Sequence, residues 1–173
     1  MRKVFLILTL LFPIILFAQF DLTKKQSEMI GTKIKELTIT DYLLNKPANT
    51  NFNHTFKVVE FWATWCKPCL RAVPHLNRLQ NKFTNRNLVF ISVTYEPPEV
   101  TFKTLEKVKF ESVVVSDQTK STHRSLHIEY KGTMVLPRTV LIDDENNIVW
   151  YGKPNQLSEK LLEKFLRKEK ILY

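Results

Sequence analysis

Glycine is scarce in this chain, with three residues in 173. A phosphate-cradling loop needs several glycines close together, so the sequence offers no nucleotide or flavin site of that kind, and no cofactor is expected. Cysteine is scarcer, at two residues, Cys66 and Cys69. That excludes a framework of several disulfides and a zinc site built from two cysteine pairs. Acidic residues are the minority, 17 against 26 basic ones, for a formal net charge of +9. The basic excess is spread thinly, with a cluster over residues 160–170. It suits acidic partners or a membrane surface, but a solvated helix face explains it more simply. No nucleic-acid-binding motif accompanies it, and no nucleic-acid partner is expected. Hydrophobic residues make up 44% and charged residues 25%, ordinary for a globular protein.

The first residues look like an export signal. Arg2 and Lys3 form a basic start, the following run to Phe17 is apolar apart from Thr9 and Pro13, and Ala18 offers a cleavage point before Gln19. Leu16 is a poor residue at the third position before that cut, so an uncleaved membrane anchor is the alternative. The expected division is a signal over residues 1–18 and a single domain over 19–173. Export would place the protein in the periplasm or another extracytoplasmic space, where disulfides persist.

Hydrophobic patterning predicts the elements of that domain. Alternation over residues 31–42 suggests an edge strand or hairpin, and residues 45–54 a loop. Buried strands are expected over 56–62, 88–94 and 112–116. Helical spacing appears over 66–83. Pro97-Pro98 breaks the chain before a short helix over 100–108, and another helix is expected over 120–130, stopped at Gly132. Residues 138–143 and 148–151 read as a hairpin, and 157–171 as an amphipathic helix. The sum is α/β, a mixed sheet flanked by helices on both faces.

Cys66 and Cys69 stand three apart in the run Phe61-Trp62-Ala63-Thr64-Trp65-Cys66-Lys67-Pro68-Cys69. Such a pair can close, open and exchange with a partner. The reactive species is the thiolate, and a strand-to-helix junction supplies free backbone N–H groups and a favourable dipole to stabilise it. Pro68 fits the first helical turn, while Lys67 and Arg71 add cations. The expectation is that Cys66 is the exposed nucleophile and Cys69 resolves the mixed disulfide. A static staple is a poor alternative, because so short a loop hardly constrains the unfolded chain. His123 and His127, four apart on an expected helix, could join the cysteines in binding a metal such as copper. His75 is expected to be structural.

The run from Glu60 to Cys69 resembles the active-site strand and loop of thioredoxins, and Pro74 matches the proline within the thioredoxin helix. Leu136-Pro137, ahead of the strand at Thr139, is similar to the family's cis-proline segment. The opening from Gly31 to Asp41, the N-terminal signal and the additional strand and helix between Ala72 and Leu136 are similar to the exported TlpA/ResA-type branch. The resemblance implies a thioredoxin-like fold with an N-terminal strand or hairpin and an inserted strand-helix element. It implies a thiol-disulfide oxidoreductase that reduces disulfides of exported proteins, supplied with electrons by another envelope or membrane protein. By the same resemblance Cys66 attacks, Cys69 resolves, Pro137 is the cis-proline beside them, and Glu60 is a buried acid that accepts the Cys69 proton. Trp65 is expected to flank the partner groove with Leu136 and Pro137, together with Lys67, Pro68 and Arg138, while Trp62 packs in the core. Ala72 stands where many of the branch carry an acid, and Arg138 where thioredoxins usually have Thr. A disulfide oxidant or isomerase is the competing enzyme reading, a peroxidase a weaker one, and a copper carrier the competing non-enzymatic one. A monomer without a bound metal is expected.

Overall fold

The computed structural model describes residues 24–35, 37, 39 and 41–171. The expected signal therefore lies outside the described residues. A helical stretch over 24–29 precedes strand β1, Asp41–Leu44. Then come β2, Phe56–Phe61; helix α1, Lys67–Lys82; β3, Leu88–Thr94; α2, Pro98–Lys107; and β4, Val113–Ser116. Helix α3, Ser121–Ser125, precedes the small strands β5, Glu129–Tyr130, and β6, Thr133–Met134. The chain closes with β7, Arg138–Ile142; β8, Ile148–Gly152; a 3-10 turn, Pro154–Gln156; and α4, Glu159–Leu166.

Six strands form one sheet in the order β1-β4-β3-β2-β7-β8. β2, β3 and β4 run parallel, and β1, β7 and β8 pair antiparallel with their neighbours. This is the expected thioredoxin-like α/β architecture. Every residue of β2 is buried, because the strand lies between β3 and β7 and is covered on both faces. On one face Val59, Phe61 and Ile91 pack with Leu126 and Ile128. On the other, Val58 and Phe90 meet Leu76 and Leu79 of α1 and Phe165 of α4. At the end of that second face Trp62 packs with Cys69, Val73 and Phe110, as the sequence suggests for a core tryptophan.

Helix α1 forms because its apolar residues Cys69, Val73, Leu76 and Leu79 recur at helical spacing along one buried stripe. Cys66 caps its start, and Pro68 lies in the first turn, where a missing N–H removes no helical bond. Pro74 sits inside the helix. Ser158 caps α4 by accepting the Leu161 N–H at 3.2 Å.

Four boundaries differ from expectation. The edge strand is β1 at Asp41–Leu44, overlapping only the end of the expected 31–42 stretch; among the described residues before it, Lys33 forms an isolated bridge to Asn147. Pro97-Pro98 starts α2 rather than merely breaking the chain, with Pro97 at the cap and Pro98 in the first turn. The helix expected over 120–130 ends at Ser125. His127 takes a φ of 49°, and Lys131 and Gly132, at 50° and 76°, turn β5 tightly into β6. Two successive positive φ values match the twist of a two-residue hairpin. The helix expected over 157–171 is shorter at both ends, Glu159–Leu166: Ser158 is its N-cap and Arg167 its C-cap, and Lys168 follows with a φ of 55°.

Gly152 closes β8 against the indole of Trp150, two residues back on the same face, and a Cβ at Gly152 would overlap that ring. Gly152→Ala is expected to cost about 1–3 kcal/mol through overpacking, read as a lower urea midpoint with an unchanged slope.

Candidate redox site

The central strand delivers the site. β2 leaves the sheet after Phe61, and the Trp62 N–H still bonds the Val93 carbonyl at 3.0 Å. A tight loop follows, with the Cys66 N–H on the Ala63 carbonyl at 3.0 Å, and α1 begins at once. Cys66 and Cys69 are joined as a disulfide, with their Cα atoms 5.3 Å apart. Cys66 Sγ accepts the Cys69 N–H at 3.3 Å, so this sulfur is itself the helix N-cap. An anion on Cys66 would meet that donor and the positive end of the helix dipole.

The expectation of an exposed Cys66 needs correction. Cys66 is 3% exposed and Cys69 0%. Leu136, from the loop before β7, packs onto the apolar cluster that contains both cysteines. Cys66 is the more accessible of the two, and Cys69 lies deeper, its sulfur 3.8 Å from the Phe61 carbonyl oxygen.

The facing segment is where the sequence places it. The Leu136–Pro137 bond is cis and leads directly into β7. Beside it opens a groove of about 800 Å³, walled by Pro68, Arg71, Leu136, Pro137, Arg138 and Lys153. Pro68, Leu136 and Arg138 thus share one surface. Trp65 and Lys67 do not line it. Trp65 is 57% exposed and turns toward β3, its Nε1–H donating to the Tyr95 hydroxyl at 2.9 Å. Lys67 is exposed at the start of α1. Arg138 is half-buried opposite Phe61, and desolvation lowers the pKa of its guanidinium, with Tyr151 acting against that. Burial in turn raises the Tyr151 phenol.

Glu60 sits in the middle of the sheet, 2% exposed. The alternation of β2 puts it on the same face as Val58 and Trp62, beneath α1. Glu60 is thus enclosed in the sheet, not on an exposed edge. Desolvation pushes its carboxyl up to about 8. Ser92, its neighbour in the β2–β3 register, acts against that rise without overcoming it. The Ser92 hydroxyl is engaged with Ser112 at 2.7 Å, and neither carboxyl oxygen of Glu60 has a hydrogen-bond partner among the described residues.

A second acid at the site escaped the sequence reading. Glu96, 7% exposed, accepts the Thr64 N–H at 2.6 Å and the Thr64 hydroxyl at 2.8 Å. It therefore pins the loop that carries Trp65 and Cys66. Its position just past the carboxyl end of a buried strand, where sites collect in parallel sheets, was the available signal. Asp117 and His123 also form a buried pair, Oδ2 to Nδ1 at 2.8 Å, and the His123 ring packs edge-on to Phe61. Burial would raise the Asp117 carboxyl, but its bonds to His123 and Ser121 prevail and hold it below the ordinary value. His123 and His127 share no helix, since α3 ends between them, which removes the geometric basis for a metal-binding pair. His75 bonds the Leu157 carbonyl at 2.8 Å and ties α1 to the segment before α4.

Two outcomes follow from the two acids. The folded state holds the Glu60 proton well above the carboxyl's ordinary range, so the stability that Glu60 itself contributes is greatest at low pH. It falls as pH rises through the window from about 4.5 to 8. Urea unfolding of the oxidised protein across that window should show this slope, and Glu60→Gln should flatten it. Glu96→Ala should lower the unfolding free energy by about 1–3 kcal/mol, because it removes the acceptor of two Thr64 donors.

Residues 30–151 match the AhpC/TSA family. Thiol-disulfide oxidoreductase ResA of Bacillus thuringiensis subsp. konkukian is 28% identical over 149 residues, covering 84% of this chain and 82% of its own. ResA of Geobacillus thermodenitrificans is 25% identical over 150 residues, covering 86% and 83%. Among solved structures, the thioredoxin domain of a thiol-disulfide oxidoreductase from Bacteroides vulgatus superposes with a TM-score of 0.60 at 22% identity, covering 80% of this chain and 96% of that one. A 2-Cys peroxiredoxin of Plasmodium vivax reaches 0.63 at 13% identity, covering 80% of each chain. At such identities the two superpositions speak for the fold alone. The family match spans most of the chain and agrees with the sheet order and with the pair at the head of α1: this chain belongs to the AhpC/TSA family and has its thioredoxin-like fold.

Proposed function

We propose that this protein is an exported thiol-disulfide oxidoreductase that reduces disulfides in partner proteins. The observation that carries the reading is the Cys66–Cys69 pair at the start of α1, with Cys66 Sγ in the N-cap position. The ResA relatives, themselves thiol-disulfide oxidoreductases by name, support it. The basic and apolar N-terminal segment supports an extracytoplasmic location.

In the reduced protein the Cys66 thiolate attacks one sulfur of the partner's disulfide. A bond forms between Cys66 and that sulfur, and the partner's second sulfur leaves as a thiolate. Cys69 then loses its proton and attacks Cys66 Sγ. This closes the Cys66–Cys69 bond and releases the partner's first cysteine. Two electrons pass to the partner, whose thiolates take up two protons. Glu60, buried under α1 with free carboxyl oxygens, is the group we assign to accept the Cys69 proton. It does so only when ionised, so resolution should speed up as pH rises through about 8. The cis segment Leu136–Pro137 presents backbone to the partner beside Cys66. A separate dithiol protein must restore the reduced pair after each turnover.

A Cys69→Ser variant expressed with its N-terminal segment should accumulate as a mixed disulfide through Cys66, identified by mass spectrometry after acid quench. Absence of any adduct from the folded variant would count against exchange. The redox potential separates the direction of transfer. A value of about −270 mV supports a reductant, and one of about −120 mV the oxidant. Glu60→Gln should slow resolution of the mixed disulfide and remove its rise through pH 8; an unchanged profile would exclude Glu60 as the proton acceptor.

A further inference from the structure

We propose that the groove beside the redox pair docks an acidic peptide segment adjoining the partner's disulfide. The inference rests on the exchange reading above and names the class of substrate. Three elements bring cations to this one cleft: Arg71 from α1, Arg138 from β7 and Lys153 from the residue after β8. No Asp or Glu lines it. Some surface cations do find acids, as Lys82 does in Glu159 and Lys168 in Asp144, but none of the three in this cleft has one in reach. Among the described residues no ion pair forms to Arg71, Arg138 or Lys153. Like charges gathered in one cleft repel each other until a counter-charge enters, and low-dielectric walls strengthen both effects.

The chemistry of the wall favours carboxylates on a peptide. Arg138 is half-buried, and its Nε–H is buried without an acceptor. A guanidinium fork in that state takes a carboxylate through two parallel bonds. Pro68, Leu136 and Pro137 supply an apolar floor, and the groove's volume of about 800 Å³ leaves room for several side chains. Leu136 also packs on the cysteine cluster, so a segment seated here holds its disulfide at Cys66. Ala72 lies in the same wall, at the position where an acid would repel such a segment.

The test uses the full folded protein, reduced with dithiothreitol, and two cystine-bridged peptides that differ only in aspartates or lysines beside the cysteines. Oxidation of the pair is followed by stopped-flow tryptophan fluorescence. The aspartate peptide should react about tenfold faster at low salt, and the gap should close as salt rises. Arg71→Glu with Lys153→Glu, both exposed positions, should erase or invert the preference. Arg138→Gln should shrink it, and Lys103→Ala, outside the groove, should keep it. Equal rates for the two peptides, a lysine preference, or an aspartate preference that survives the Arg71 and Lys153 substitutions would overturn the docking site. If equal rates come with normal oxidation by uncharged hydroxyethyl disulfide, docking alone fails. If the uncharged disulfide does not react either, the exchange reading fails with it.

Discussion

The enclosure of β2 governs this structure. The strand is hydrogen-bonded on both edges, by β3 and β7, and covered on both faces, so every one of its residues is buried. The strand must therefore be apolar, apart from groups with a reason to be there. Its carboxyl end leaves the sheet at a fixed point, and the redox loop emerges from that point. The cysteines, the cap on α1 and the cis segment at the head of β7 all gather where this strand stops.

Two glutamates at the site answer burial in opposite ways. Glu96 is buried with both carboxyl oxygens bonded to Thr64, and it serves as a fixed anchor for the loop. Glu60 is buried with no bonded partner, so the carboxyl keeps its proton to about pH 8. The first arrangement holds geometry. The second places a protonatable group under α1 and costs stability whenever the proton leaves. A group kept at such a cost suits proton transfer better than packing.

Local pattern made much of the fold legible. The apolar runs of β2 and β3, the periodicity of α1 and the hairpin of β7 and β8 appear within a residue or two of their expected places, because each is written in consecutive residues. Pro137 and Glu60 were legible through a motif. The misses share a different origin. α3 stops at Ser125 because the chain turns at His127 to bring Leu126 and Ile128 into the core, a demand no local spacing displays. The direction of Trp65 depends on Tyr95, thirty residues away, and Glu96 gains meaning only when it meets Thr64.

The sequence by itself determined that a single cysteine pair stands at a strand-to-helix junction, with an acid inside the strand and a proline ahead of a later strand. Those are statements about neighbours along the chain, and covalent order is enough to make them. Only the tertiary structure decided that Cys66 is nearly covered, that Glu60 is enclosed without a partner, and that Arg71, Arg138 and Lys153 converge beside the pair. Burial and electrostatic environment arise from segments distant in sequence meeting in space. They set the charge state of a carboxyl and the sign of a groove, and neither quantity exists until the sheet has closed.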